Sequence, residues 1–152
     1  MNYSMNYNAG VGAGGGGLTR GGRNCNPLNI RRSAGNRWLG QCTRQHDREF
    51  VQFESDLFGF RAAFRILRSY MRVQGLCTLR DIIYRWAPPE DGNNTESYVA
   101  MVSERSGVAP GRVLAFEDKE ALVGIVGAMA WVESRMANVD RELLGKAYEL
   151  AR

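Results

Sequence analysis

The chain has little of what most reactive centres are built from. It holds one histidine, His46, and three cysteines, Cys25, Cys42 and Cys77, an odd number with no CxxC pair. That argues against a disulfide framework and leaves free thiols. Cys25, Cys42, His46 and Cys77 carry the atoms of a zinc site, but only Cys42 and His46 are close in sequence and no standard ligand spacing appears. No metal and no other cofactor is therefore expected. A Ser-His or Cys-His nucleophile would rest on His46 alone, in a charged loop. No apolar run approaches the length that spans a bilayer, and the N-terminus lacks the basic start and continuous apolar region of a secretory signal. The expectation is a cytoplasmic protein with no membrane partner, unless a particle or a lysis event carries it out. Gly10 to Gly17 is not a phosphate loop, since no strand precedes it and no Gly-Lys-Ser/Thr follows.

What is present is ordinary in bulk and uneven in distribution. With 152 residues, 44% hydrophobic and 24% charged, the chain has room for one domain with a modest core. Residues 20 to 80 hold twelve Arg against four acids, whereas residues 81 to 152 hold eight bases against twelve acids. Only Lys119 and Lys146 are lysines, and arginine favours planar, bidentate recognition of carboxylate or phosphate. An anionic polymer is a fitting partner, either nucleic acid or a cell-wall glycan with its peptide carboxylates. Compositional bias toward arginine is the plain alternative.

Residues 1–22 are Asn, Tyr, Ser and Gly in the main and read as a disordered Gly-rich arm, because no periodic apolar face forms there. Residues 23–152 read as a single domain. Short extended runs around Leu28 to Arg32, Trp38 to Thr43 and Phe50 to Phe53, separated by turn and charge signals, predict a small antiparallel hairpin or three-stranded sheet. Ser55 or Asp56 caps a helix to about Val73, with Leu57, Phe60, Phe64, Leu67, Tyr70 and Met71 on one face and Arg61, Arg65, Arg68 and Arg72 on the other. That arginine stripe is either a solvated face or a phosphate-binding one. Thr78 caps Leu79 to Trp86, Asn94 or Thr95 starts a helix to about Ser106, Asp118 caps one to about Ser134, and Arg141 to Arg152 forms the last.

Two places carry candidate chemistry. The segment Arg23-Asn24-Cys25-Asn26-Pro27-Leu28-Asn29-Ile30-Arg31-Arg32, with Trp38-Leu39-Gly40 after it, is too polar for core and suits a neutral, oxygen-rich ligand such as a sugar. In the late helix Leu122, Val126, Met129 and Glu133 share one stripe, Glu133 within about 40 degrees of Leu122. A carboxyl placed there suits protonation of a glycosidic oxygen. Alternatively the stripe leaves the core at that turn and Glu133 pairs with an arginine. Trp86-Ala87-Pro88-Pro89 with Asn93, Asn94 and Tyr98 forms either a cleft wall for a sugar face or a buried tryptophan closing a helix. Glu54 is either a second carboxylate or a surface residue.

Ala128-Met129-Ala130-Trp131-Val132-Glu133-Ser134 resembles the helix-ending Glu-Ser segment that carries the catalytic acid in lysozyme-like transglycosylases and glucosaminidases. In the glucosaminidase branch a hairpin similar to Asn26–Arg31 and Trp38–Gly40 follows that helix. Here it precedes it, which implies a circular permutation. Residues 21 to about 135, through Arg-Asn-x-Asn-Pro-x-Asn-Ile-Arg, Trp-x-Gly, Phe50-x-x-Phe53, Gly59-Phe60-Arg61-Ala62 and Ile82 to Pro89, resemble a family of small phage and prophage virion proteins. These are usually described as structural and sometimes suspected of muramidase-like activity. That family commonly reads Asn-Asn-Asn-Pro where this chain has Cys25. The resemblances imply an α+β, mainly helical, lysozyme-like single domain with a small antiparallel β-hairpin. The implied function is a peptidoglycan glycosidase or lytic transglycosylase, made in the bacterial cytoplasm and carried in the virion. Glu133 and Glu54 would be catalytic, and Asn26, Asn29, Arg31, Trp38, Trp86 and Tyr98 would bind the glycan strand. A non-enzymatic virion protein assembling with other virion proteins is the alternative, and a nucleic-acid binder the third reading.

Overall fold

The computed structural model describes residues 18–152. Of the arm expected over 1–22, residues 1–17 lie outside the described residues, while Arg20–Arg23 form a short helical turn, α1. Thr19 caps it, its hydroxyl accepting from the Gly22 amide at 3.2 Å. Then follow α2 (Asp56–Arg72), α3 (Leu79–Trp86), a 3-10 turn at Pro89–Asp91, α4 (Thr95–Ser106), α5 (Lys119–Ser134) and α6 (Arg141–Ala151). These are the helices that the caps and periodicity predict. Thr78 and Asn94 accept from the Asp81 and Ser97 amides. Gly107 closes α4 in the left-handed region, where glycine costs least.

α5 is apolar on nearly every side, with Leu122, Ile125, Val126, Met129 and Ala130 all fully buried, so it runs through the middle of the molecule. It packs against α4 and α6, and α6 packs in turn on α2. Where these layers meet, Tyr148 stacks on Phe116 at 5.1 Å, meets Phe64 edge-on at 5.6 Å, and donates its hydroxyl to the Phe116 carbonyl. Each such ring adds about 2–3 kcal/mol of burial. The arginine stripe on α2 faces the end of α6. Arg61 and Arg65 donate to the Leu150 and Ala151 carbonyls, Arg72 pairs with Glu117, and Arg68 is half-buried. Carbonyls in the last turn of a helix have no intrahelical donor, and guanidinium groups complement both them and the helix dipole.

The expected α+β architecture with its antiparallel hairpin is corrected: among the described residues the fold is mainly helical, with no strand or sheet. Residues 28–53 make only isolated bridges, Arg31 with Phe50 and Gln41 with Phe53. The reason is chemical. Side-chain amides and carboxylates take the backbone groups that a ladder would use. Asn26 accepts from the Ile30 amide and donates to the Ile30 and Val51 carbonyls, each at 2.9 Å. Gln45 donates to the Cys42 and Gln52 carbonyls and accepts from the Gln52 amide. Asp47 accepts from the Glu49 and Phe50 amides. Positive φ at Asn29 and Gly40 interrupts the first two extended runs. The lysozyme-like architecture, and the permuted hairpin it would have used, go with the sheet.

Candidate functional site

The early polar segment and the end of α5 meet, and the contacts are those a helix C-terminus requires. The Ser134 carbonyl accepts from the Thr19 hydroxyl at 3.0 Å, and the Glu133 carbonyl from the Asn29 amide nitrogen at 3.0 Å. Arg135, left-handed at φ 57, turns its own N–H onto the Ala130 and Trp131 carbonyls. The Ser134 hydroxyl donates back to the Pro27 carbonyl at 2.8 Å. α1 lies against this junction closely enough that a β-carbon on Gly21 would sit 1.9 Å from Ser134 Oγ and 2.9 Å from both the Asn26 carbonyl and Asn29 Oδ1. At Gly59 a β-carbon would sit 2.3 Å from the Cys25 carbonyl, so α2 presses on the same loop from below.

Glu133 is the half-buried carboxyl at this junction. Its Oε1 accepts from Trp86 Nε1 at 3.2 Å and from the Tyr98 hydroxyl at 3.1 Å, while Asn29 Nδ2 reaches Oε2 at 3.4 Å. Three separate stretches of chain thus converge on one carboxyl of α5. α3 delivers Trp86 at its last position, α4 delivers Tyr98 in its first turn, and the Asn29 backbone stands at φ 51. The connection between α3 and α4 is pinned by Thr95 Oγ1 donating to the Ala87 carbonyl at 2.6 Å and by Asn93 Nδ2 donating to the Pro88 carbonyl at 3.1 Å. Trp86 and Tyr98 are fully buried. A buried indole N–H or phenol O–H needs an acceptor, and Glu133 supplies it. The carboxyl is consequently fixed in place rather than left to rotate.

The other expected site residues are distributed unevenly. Asn26 is fully buried and makes the loop contacts given above, so it holds the frame on which Asn29 stands. Arg31 is half-buried, with its backbone paired to Phe50. Trp38 lines a cavity of about 350 Å³ with Arg65, Ser69, Tyr70, Gln74 and Arg85, a groove between α2 and α3. Glu54 is exposed and held by its main-chain N–H to the Gly40 carbonyl. A larger cavity, about 840 Å³, lies between Leu57, Val123 and the face of α6 around Arg141, Gly145 and Leu150, and none of the Glu133 partners lines it. Among the described residues no group of three or more His, Cys, Asp and Glu side chains is arranged to hold a metal ion, and no helix is long and apolar enough to cross a membrane.

A residue that sequence reasoning passed over is Asp47. Arg20 meets it with both guanidinium arms at 2.7 and 2.8 Å, and the Asn24 amide and two backbone N–H groups point at the same carboxylate. The Arg20 guanidinium foremost, and then these donors, hold its carboxyl well below the usual aspartate range. This pair fastens α1 to the loop and so fixes Thr19 and Gly21 against α5. The pattern Asp47-x-Glu49-Phe50 is a turn signal by type, but its arginine lies 27 residues away and no spacing rule gives it. Cys25 sits near Asp56 and Cys42, and burial raises its thiol above the ordinary range.

No protein-family model matches the chain. It is 34% identical over 132 residues to Protein P5 of Pseudoalteromonas phage PM2, an alignment that covers 86% of this chain and 80% of that protein.

Proposed function

Since the chain belongs to the family of Protein P5 of Pseudoalteromonas phage PM2, we propose that it is a virion-associated protein that degrades peptidoglycan, with Glu133 as the general acid. The observation that carries this reading is the convergence of Asn29, Trp86 and Tyr98 on the Glu133 carboxyl. Two donors on Oε1 and one reaching Oε2 hold the carboxyl in a single orientation, and a carboxyl held in place beside the glycosidic oxygen is what general-acid cleavage requires. Glu133 gives its proton to the glycosidic oxygen as the C1–O bond breaks. The substrate's own N-acetyl oxygen attacks C1, as in substrate-assisted families. Water then opens the cyclic intermediate and returns a proton to Glu133. Attack by the sugar's own hydroxyl in place of water would make the protein a lytic transglycosylase. Asn29, beside the carboxyl, and Arg31, two residues further along the same early loop, hold the glycan. Purified protein clears a suspension of bacterial cell walls, and mass analysis of the released fragments tells hydrolysis from transglycosylation; intact walls after prolonged incubation reject the enzyme.

A specific observation favours a second reading, a non-enzymatic virion component. Trp86 and Tyr98 are fully buried, and Glu133 satisfies polar groups that would otherwise be costly there. A protein with that role alone is incorporated into particles at fixed stoichiometry alongside other virion proteins and clears nothing. The arginine stripe of α2, engaged with α6 carbonyls and Glu117, lends nucleic-acid binding no support.

A further inference from the structure

A second feature of the α4–α5 seam is not absorbed by the chemistry at Glu133. Arg105, in the last turn of α4, places its guanidinium carbon 4.4 Å from the centroid of the Trp131 ring, and Arg135 places its own 5.3 Å from the same centroid. Both arginines are exposed, and Trp131 is half-buried against the core. Among the described residues neither guanidinium lies within ion-pair distance of a carboxylate. Glu120 lines a neighbouring cavity of about 180 Å³ with Arg105 and Arg141, without pairing with Arg105. Two like charges held around one indole repel each other, and the stacking that keeps them there returns only about 0.5–1 kcal/mol each at an exposed site. An anion between them relieves the repulsion and accepts from both forks. The ring and the left-handed cap at Arg135 have already fixed the geometry, so little ordering remains to oppose binding.

We infer that Arg105, Trp131 and Arg135 form a carboxylate-binding platform that takes the peptide stems of peptidoglycan while the glycan lies at Glu133, an inference that rests on the glycan-cleaving reading above. Position supports it. Trp131 stands in the last turn of α5 and Arg135 at its C-cap, the same end of the helix that carries Glu133. Arg105 lies two turns beyond Tyr98 on α4, about 10 Å along the helix. A stem hanging from the sugar beside the cleaved bond spans that distance, and its free carboxylates match a guanidinium fork in planarity and charge. The glycan supplies neutral hydroxyls and amides to Asn29, and the stem supplies the anion to the arginines.

The test compares two probes on full-length protein carrying Glu133→Gln, so that neither probe is cut. One is a tetrasaccharide muropeptide bearing its stems. The other is chitotetraose, which has the N-acetyl groups and no carboxylate. Calorimetry on this parent and on the same chain with Arg105→Gln and Arg135→Gln should show muropeptide affinity falling about tenfold or more in the latter, with chitotetraose affinity unchanged. An unaltered thermal midpoint confirms the fold. If the parent binds both probes and the arginine variant loses nothing, the platform is overturned while the glycan site stands. If the parent binds neither, the glycan reading fails and the platform with it. Displacement of the muropeptide by millimolar inorganic phosphate but not by acetate reassigns the platform to phosphate ligands and overturns the stem assignment.

Discussion

Replacing Gly21 with alanine puts the junction between α1 and α5 under direct strain. Gly21 sits inside a helical turn, and on propensity alone alanine there should stabilise by about 0.5–1 kcal/mol. The structure predicts the opposite sign. The added methyl would lie 1.9 Å from Ser134 Oγ, and 2.9 Å from the Asn26 carbonyl and Asn29 Oδ1. Ser134 is 3% exposed, so rotating its hydroxyl away breaks the bond to the Pro27 carbonyl and leaves both groups buried without partners, at about 1–3 kcal/mol. The Asn26 carbonyl is main chain and moves only if the loop moves. Against the helix-propensity gain, the net loss is about 0.5–2 kcal/mol, which for a chain of this length lowers the midpoint by about 1–8 °C. Thermal unfolding followed by circular dichroism at 222 nm reads it. Adding Ser134→Ala removes the atom in closest conflict, so the double variant should be at least about 1 kcal/mol more stable than the sum of the single effects allows. A Gly21→Ala protein as stable as the parent would refute the contact between early segment and late helix.

Other outcomes follow from the same frame. Asn26→Ala strips three buried partners from the Ile30 and Val51 backbone and should cost about 3–5 kcal/mol in urea unfolding; a loss below about 1 kcal/mol would show that the loop does not depend on that amide. Asp47→Asn weakens a bidentate pair with Arg20, which is partly exposed, so the loss at pH 7 is about 1 kcal/mol. Because the folded carboxyl of Asp47 is depressed, its contribution is full above the ordinary aspartate value near about 3.9 and disappears as pH falls through the folded value. The parent should therefore lose stability between pH 5 and pH 2 more steeply than the variant, and parallel acid limbs would contradict the pairing.

The helices were legible because their signals are local. Ser55, Thr78, Asn94 and Asp118 stand at helix starts, Pro88 follows the end of α3, and apolar residues recur at helical spacing. The hairpin was misread for a physical reason. Leu28 to Arg32 and Phe50 to Phe53 are extended-looking runs, but alternation cannot reveal whether a backbone N–H will find a neighbouring strand or the side chain of Asn26, Gln45 or Asp47. The arginine stripe was visible at helical pitch, whereas its partners at the end of α6 lie more than 80 residues away. Glu133 stood out as an acid on an apolar stripe, and Trp86 and Tyr98 were singled out separately. Their meeting at one carboxyl oxygen is tertiary information that no spacing contains. Trp38 illustrates the limit most plainly, since its closeness in sequence to the asparagine turn did not bring it to Glu133.

The central claim is that the carboxyl gathered by Asn29, Trp86 and Tyr98 is an acid catalyst and not merely an acceptor. Glu133→Gln separates the two, because the amide oxygen still accepts from the indole and the phenol while the amide cannot deliver the proton. Side-by-side turbidity assays on bacterial cell walls, with thermal midpoints taken on the same samples, give the answer. The account predicts clearing by the parent, a fall of about 10²-fold or more in the variant, and midpoints that agree within a few degrees. Equal clearing by both proteins, or none by the parent, contradicts it.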